Sequence, residues 1–243
     1  MRVARLLPVA ATGPLPLSWR IQPEGDSVQK PLRLALIGMS GAGKSYWAQK
    51  LAGLGWPAVC CDEQIERRLQ PRLHAGGFAG INGVAAWMGW PDSPAYAERE
   101  AQYLAAESHV LDELLCELER DAGKSLILDT TGSVVYTGNH LLFRLRRQMT
   151  IVYLAASESE RQLLLERYLS DPKPVLWRGV FQPRAGESAR ETVARCYPLL
   201  TESRRRSYEA LAHCTLPMAA LRDPRLTAEG FLEKISSAAG PRR

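Results

Sequence analysis

Metal-ligand and disulfide patterns are missing from this sequence. Its five cysteines (Cys60, Cys61, Cys116, Cys196 and Cys214) form no CxxC pair, and its four histidines are scattered. An odd, unpatterned set argues for reduced, mostly buried thiols in a cytoplasmic setting, and against a disulfide or zinc framework. Long apolar runs are absent too, so no segment reads as membrane-spanning. Aromatic residues make up only 7%, and no basic run is interleaved with them. The net charge of +5 and pI of about 9.0 fit nucleotides and small anions as well as they fit nucleic acid. The one dense basic cluster, Arg204-Arg205-Arg206, lies inside a helical pattern, so nucleic acid is disfavoured as a partner. What is present, 46% hydrophobic and 23% charged residues over 243 positions, suits one globular domain with a sizeable core.

That domain is organised around residues 32–51, LRLALIGMSGAGKSYWAQKL. An apolar strand, Leu34-Ala35-Leu36-Ile37, leads into Gly38-Met39-Ser40-Gly41-Ala42-Gly43-Lys44-Ser45, which fits G-x-x-x-x-G-K-[ST] at every fixed position. Glycine lets successive backbone N–H groups curl around an anion with no Cβ in the way. The helix that follows points the positive end of its dipole at the same place. Lys44 then reaches the β- and γ-phosphates of ATP, and the Ser45 hydroxyl ligates Mg²⁺. The ATP-binding set expected here is Ser40, Gly41, Ala42, Gly43, Lys44, Ser45 and Tyr46.

Along the rest of the chain, strands and helices alternate. Residues 1–30 carry four prolines and no sustained period, and read as a flexible extension with a short strand around residues 17–21. Their arginines precede any acidic residue, which weakly suggests organelle targeting as an alternative to the cytoplasm. The remainder, 31–243, is expected to be one domain. A second strand at 56–61 ends at Asp62, with a short helix over 62–69. A carboxylate at the end of a parallel strand beside a phosphate loop faces the ligand crevice, so Asp62 is a candidate to bind or deprotonate a hydroxyl; it would serve equally as a helix N-cap. Helices are expected at 81–88 and 95–119. The strand Ser125-Leu126-Ile127-Leu128-Asp129 puts Asp129 in the position of a carboxylate that holds Mg²⁺ through water. A basic helix, a strand at 150–154 and a helix at 158–169 follow. Residues 170–187 are broken by Asp171, Pro172, Pro174, Gly179, Pro183 and Gly186; such a stretch is expected to form a lid. Lys173 and Arg178 could bring positive charge from it, and for Arg178 an ordinary surface role is the preferred reading. A helix at 189–212, a strand at 213–216 and a terminal helix at 227–236 complete an open parallel sheet.

At these residues the chain resembles the shikimate kinase family, and more broadly the small P-loop metabolite kinases, over about 32–216. LIGMSGAGKS looks like that family's opening strand and loop, and CCDEQIERRL like its D-x-D-x-x-I-E segment, with Asp62 at the second aspartate. DTTGSV, residues 129–134, occupies the place of its glycine triplet. Lys173-Pro174-Val175-Leu176 resembles its lid R-P-L-L, and Arg204 with Tyr208-Glu209 its late R-x-P-L-Y-E. The resemblance implies an α/β fold of P-loop NTPase type, three layers deep, with a mostly parallel five-stranded sheet and a lid, like the nucleoside-monophosphate kinases. It also implies Mg²⁺-dependent transfer of the γ-phosphate of ATP to a hydroxyl of a small-molecule acceptor, by a monomer or homodimer. In that frame Asp62 deprotonates the acceptor, Lys173 balances charge in transfer, Thr131, Gly132 and Arg204 contact the acceptor, and Arg167 stacks on adenine.

Four positions depart from the family pattern. Cys60 replaces the first aspartate, Ala97 after Tyr96 replaces a carboxylate-binding arginine, Thr130 and Thr131 replace glycines, and Lys173 replaces the lid arginine. Lysine keeps the charge but loses the planar fork. On these grounds the acceptor is expected to be a less anionic or differently shaped alcohol than shikimate, with Asp129 taking over the magnesium role that Cys60 cannot perform. A non-catalytic nucleotide-binding regulator, a genuine shikimate kinase and a nucleic-acid-directed kinase are the alternatives.

Overall fold

The computed structural model describes residues 31–239; the expected extension at 1–30 and its short strand lie outside the described residues. Five strands, β1 (Arg33–Ile37), β2 (Ala58–Cys60), β3 (Leu126–Asp129), β4 (Thr150–Ala155) and β5 (Cys214–Pro217), form one sheet in the order β2-β3-β1-β4-β5. All four pairings are parallel. The helices are α1 (Lys44–Ala52), α2 (Cys61–Ala75), α3 (Gly80–Met88), α4 (Tyr96–Arg120), α5 (Asn139–Gln148), α6 (Glu158–Ser170), α7 (Ala189–Leu211) and α8 (Ala228–Ala239).

Strand residues alternate between two cores. Ala35, Ile37, Leu126, Leu128, Ile151 and Tyr153 face a large cluster built with α2 to α7. Leu34, Leu36, Ile127, Val152 and Leu154 face a smaller one closed by Trp47 of α1 and Phe231 of α8. Those two rings stack at 4.4 Å, 8° from parallel. Burial on both faces is why the central strands read as continuous apolar runs, and helices on both faces give the three layers expected.

The helix after β2 is longer than the sequence reading. It starts at Cys61, where a strand was expected, and runs to Ala75 through Pro71. Cys61, Ile65, Leu69 and Leu73, spaced four apart, are all buried, and that stripe carries the helix on while Pro71 sits on the exposed face.

Parallel order places the carboxyl ends of all strands on one edge. The chain builds β2 and β3 to one side of β1 and β4 and β5 to the other, so the loop after β1 stands at the centre of that edge.

Candidate active site

The loop after β1 has the backbone its sequence demands. Gly38, Gly41 and Gly43 have φ of 142°, 81° and 92°, values that only glycine adopts freely. A Cβ at Gly38 would meet the Leu154 carbonyl at 2.8 Å, and one at Gly41 would lie 2.9 Å from Leu164 Cδ2 and 4.0 Å from Arg167 Nη1. The loop is thus pressed against β4 and α6, and Arg167 lies beside it. Gly43 caps α1 with no side-chain hydrogen bond, which leaves the first-turn amides of α1 facing the loop. Lys44, only 6% exposed, donates from Nζ to the carbonyls of Gly38 and Met39, both at 3.1 Å. Ser45 is exposed; Tyr46 is half exposed, with Lys50 Nζ 5.0 Å from its ring centre.

Two carboxylates stand near each other at this edge, and one of them, Asp62, feels the Lys44 charge. Asp129 ends β3, in register with Leu36 of β1 and Cys60 of β2. It is buried, and its Oδ1 has no hydrogen-bond partner. Asp62 lies in the first turn of α2, where Tyr103 of α4 donates to its Oδ1 at 3.0 Å. Burial pushes the Asp62 carboxyl up; the Lys44 ammonium and the Tyr103 hydroxyl oppose that, and the Asp129 charge adds to it. Burial, helped by the nearby carboxylates of Asp129, Asp62 and Glu63 and opposed by the Glu63 backbone, raises the Cys60 thiol to about 11. A neutral thiol makes a poor ligand for a hard cation. An orphaned buried oxygen on Asp129 and the hydroxyl of Ser45 are the hard oxygen donors that Mg²⁺ takes. Among the described residues no three metal-ligating side chains converge. Magnesium bound through one or two carboxylates, water and nucleotide phosphates needs no such cluster.

Beyond the carboxylates lies a buried polar floor. Thr130 donates to the Leu36 carbonyl at 2.8 Å. Thr131 donates to Glu107 Oε1, and Ser133 donates to Glu107 Oε2 at 2.6 Å. The threonine hydroxyls in place of glycines are therefore spent inside the protein. Gly132 is a close-approach glycine: a Cβ there would stand 3.1 Å from Arg204 Nη1 and 3.4 Å from the Ser40 nitrogen. Tyr208 donates to the Gly132 carbonyl. Arg204 is 2% exposed, donates from Nη2 to the Leu176 carbonyl at 2.7 Å and lies 5.2 Å over the Tyr136 ring.

Glu107 and Tyr103 were not singled out in the sequence. Burial raises Glu107 to about 7, against the pull of the Ser133 and Thr131 hydroxyls. The available signal was spacing: Tyr103 and Glu107 are one turn apart on α4, so both reach the same side. Ala97, where an arginine was missed, is instead exposed, two turns from Tyr103. Its neighbour Tyr96 accepts from the Trp177 amide at 3.1 Å and donates to the Val175 carbonyl at 2.6 Å.

Residues 171–188 contain no helix or strand, yet Val175, Leu176 and Trp177 are buried at 5%, 0% and 1% exposure. Trp177 sits among Tyr168, Phe181 and Tyr197 at ring distances of 6.1, 5.6 and 6.3 Å. Lys173 turns away from the phosphate loop. It pairs with Asp171 at 2.8 Å and Asn82 at 2.5 Å on the wall of a cavity of about 260 Å³ between α3 and residues 168–175. Of the basic cluster, Arg205 pairs with Glu202 and Glu209, and Arg206 with Glu202.

No family profile matches the sequence, and no curated protein matches it either. Solved structures do. Shikimate kinase from Acinetobacter baumannii, in complex with shikimate, is 25% identical, with a TM-score of 0.53, over 84% of this chain and 90% of that one. Shikimate kinases from Bacteroides thetaiotaomicron and Aquifex aeolicus are each 18% identical, with TM-scores of 0.51, over 84% of this chain and 96% of theirs. The fold is that of a shikimate kinase-like P-loop kinase, as the motifs implied. No described helix is long and apolar enough to cross a membrane.

Proposed function

We propose that the chain is an ATP- and Mg²⁺-dependent kinase that moves the γ-phosphate to a hydroxyl of a small metabolite. The observation that carries this reading is the placement of Asp62, which feels the charges of both Lys44 and Asp129 and accepts from the Tyr103 hydroxyl at its Oδ1. Loop amides and Lys44 hold the β- and γ-phosphates. Ser45 and Asp129 are the residues that hold Mg²⁺, which neutralises charge on the phosphates when bound. Tyr103 occupies one oxygen of Asp62, and the other takes the acceptor hydroxyl and its proton as the bond to phosphorus forms. Gly132 and Arg204 border the acceptor, and Arg167 and Tyr46 flank the nucleotide. Residues 170–187 act as the lid. Lys173 reaches the transferring phosphate only by leaving Asp171 and Asn82. Dependence on Asp62 separates this reading from a nucleotide-binding regulator, which has no use for a base at that point.

The test is an ATP-consumption screen over hydroxy acids, sugars, amino alcohols and nucleosides, run on the parent, Lys44→Ala and Asp62→Asn. Lys44→Ala should cost transfer about 10²–10³-fold by removing one charge clamp. Asp62→Asn should cost about 10²–10⁴-fold while ATP affinity by calorimetry stays that of the parent. Transfer undiminished in Asp62→Asn would refute its role as the base.

A further inference from the structure

Among the described residues, Arg178 is the one non-glycine with a left-handed backbone, φ 49°. Gly179 follows at φ 80°, and the Val180 amide donates to the Trp177 carbonyl at 2.9 Å, closing a tight turn. Glycine would take this corner without strain, and a long side chain there persists only when its surroundings hold it. The holding group is Glu100, whose Oε1 accepts from the Arg178 amide at 2.9 Å. The side chain is far less committed. Its guanidinium is 3.9 Å from Glu100 Oε2, beyond hydrogen-bond range, and the side chain is 45% exposed.

That loosely held guanidinium lies 6.0 Å from the Tyr136 ring, the ring that Arg204 covers at 5.2 Å. Arg204 has donors to spare. Nη2 serves the Leu176 carbonyl and Nε the Tyr136 hydroxyl, at 3.4 Å, whereas Nη1 meets only the weak acceptor Met39 Sδ, at 3.9 Å. No carboxylate lies within ion-pair distance of Arg204 among the described residues. Nη1 lies against Gly132, so close that a Cβ there would stand 3.1 Å from it. Two guanidinium groups brought to one ring repel each other unless an anion lies between them, and a planar fork is the group best shaped to take an oxyanion through paired hydrogen bonds.

We propose that Arg178 is the second cation of the acceptor site, closing with Arg204, across Tyr136, on an oxyanion that the acceptor carries. The word acceptor rests on the kinase reading above; the clamp itself rests on Arg178, Tyr136 and Arg204. It supplies from the 171–188 segment the cation whose absence was read at Ala97, and it reverses the expectation of a less anionic acceptor. Specificity then depends on how this segment seats, because Arg178 is held in place by the turn and by Glu100.

Calorimetry on the full chain with three probes reads the clamp without turnover: shikimate, its methyl ester and glycerol 3-phosphate. At least one acid should bind, and the uncharged ester at least about tenfold more weakly. Which acid binds distinguishes a carboxylate from a phosphate group. Arg178→Gly relieves the strained corner, so its melting temperature should hold or rise while acid affinity falls about ten- to a hundredfold. Arg178→Lys, which keeps the charge, should recover part of the loss. The clamp is overturned if the parent binds neither acid, if it binds ester and acid alike, or if Arg178→Gly binds acid as the parent does. An ATP-turnover assay beside it keeps the two readings apart. Acid binding that depends on Arg178 with no turnover sinks the kinase and leaves the clamp. Equal phosphorylation of acid and ester sinks the clamp and leaves the kinase.

Discussion

The two halves of the candidate site are built from different materials. The phosphate loop is backbone: three glycines at positive φ, the amides at the start of α1, and one lysine on neighbouring carbonyls, all within residues 38–45. The acceptor half is side chains brought from afar. Tyr103 and Glu107 come from α4, Thr131 to Ser133 from the end of β3, Trp177 and Arg178 from an irregular segment, and Arg204 from α7. A backbone cradle depends on local sequence and tolerates change around it. A side-chain floor depends on every element that delivers a piece, so it shifts whenever one of them does.

Substitutions that strike only one half test that division. The largest effect is expected at Trp177, which is 1% exposed and packed among three aromatic rings. Trp177→Ala should cost about 3–5 kcal/mol of stability by leaving a cavity, while ATP affinity, measured below the melting temperature, stays within a factor of about two to three of the parent. A parallel fall in ATP affinity would show that the halves are one unit.

Next comes Glu107, whose carboxyl is raised by burial from 4.5 to about 7. Between those values the folded chain holds a proton that the unfolded chain has released, so stability is fully present below about pH 4.5 and falls as pH rises towards 7. The loss amounts to about 3 kcal/mol. Glu107→Gln cannot ionise, so denaturant titrations should show a flatter stability profile from pH 5 to 8. A slope equal to that of the parent would mean that Glu107 is already charged on a wet floor.

The smallest expected effect lies at the seam. Asp129→Asn removes a charge but keeps the shape at the end of β3, and should raise the Mg²⁺ concentration for half-maximal transfer by about three- to tenfold, the cost of one weakened water-mediated contact. An unchanged magnesium dependence would assign the metal to Ser45 and the nucleotide, leaving Asp129 without a part in holding it.

The same division governed what could be read in advance. Strand positions, parallel pairing and most helix limits, though not the strand order, were legible because burial on both faces writes apolar runs into the strands, and amphipathic stripes into the helices. The exception was α2, where the stripe Cys61, Ile65, Leu69 and Leu73 overrode both the strand pattern before it and the proline within it. Asp62 and Asp129 could be named because each ends or follows a strand, and the carboxyl edge of a parallel sheet collects such residues.

By itself the sequence determined the nucleotide half, since contiguous residues with fixed φ requirements carry their geometry with them. Only the tertiary structure decided the rest. It sent Lys173 to Asp171 and Asn82, spent the hydroxyls of Thr130 and Thr131 on Leu36 and Glu107, and brought Arg178 and Arg204 to one tyrosine ring. These outcomes depend on the rotation of α4 and α7 about their axes and on where an irregular segment is pinned. Packing of the whole core fixes both, and no local spacing encodes them.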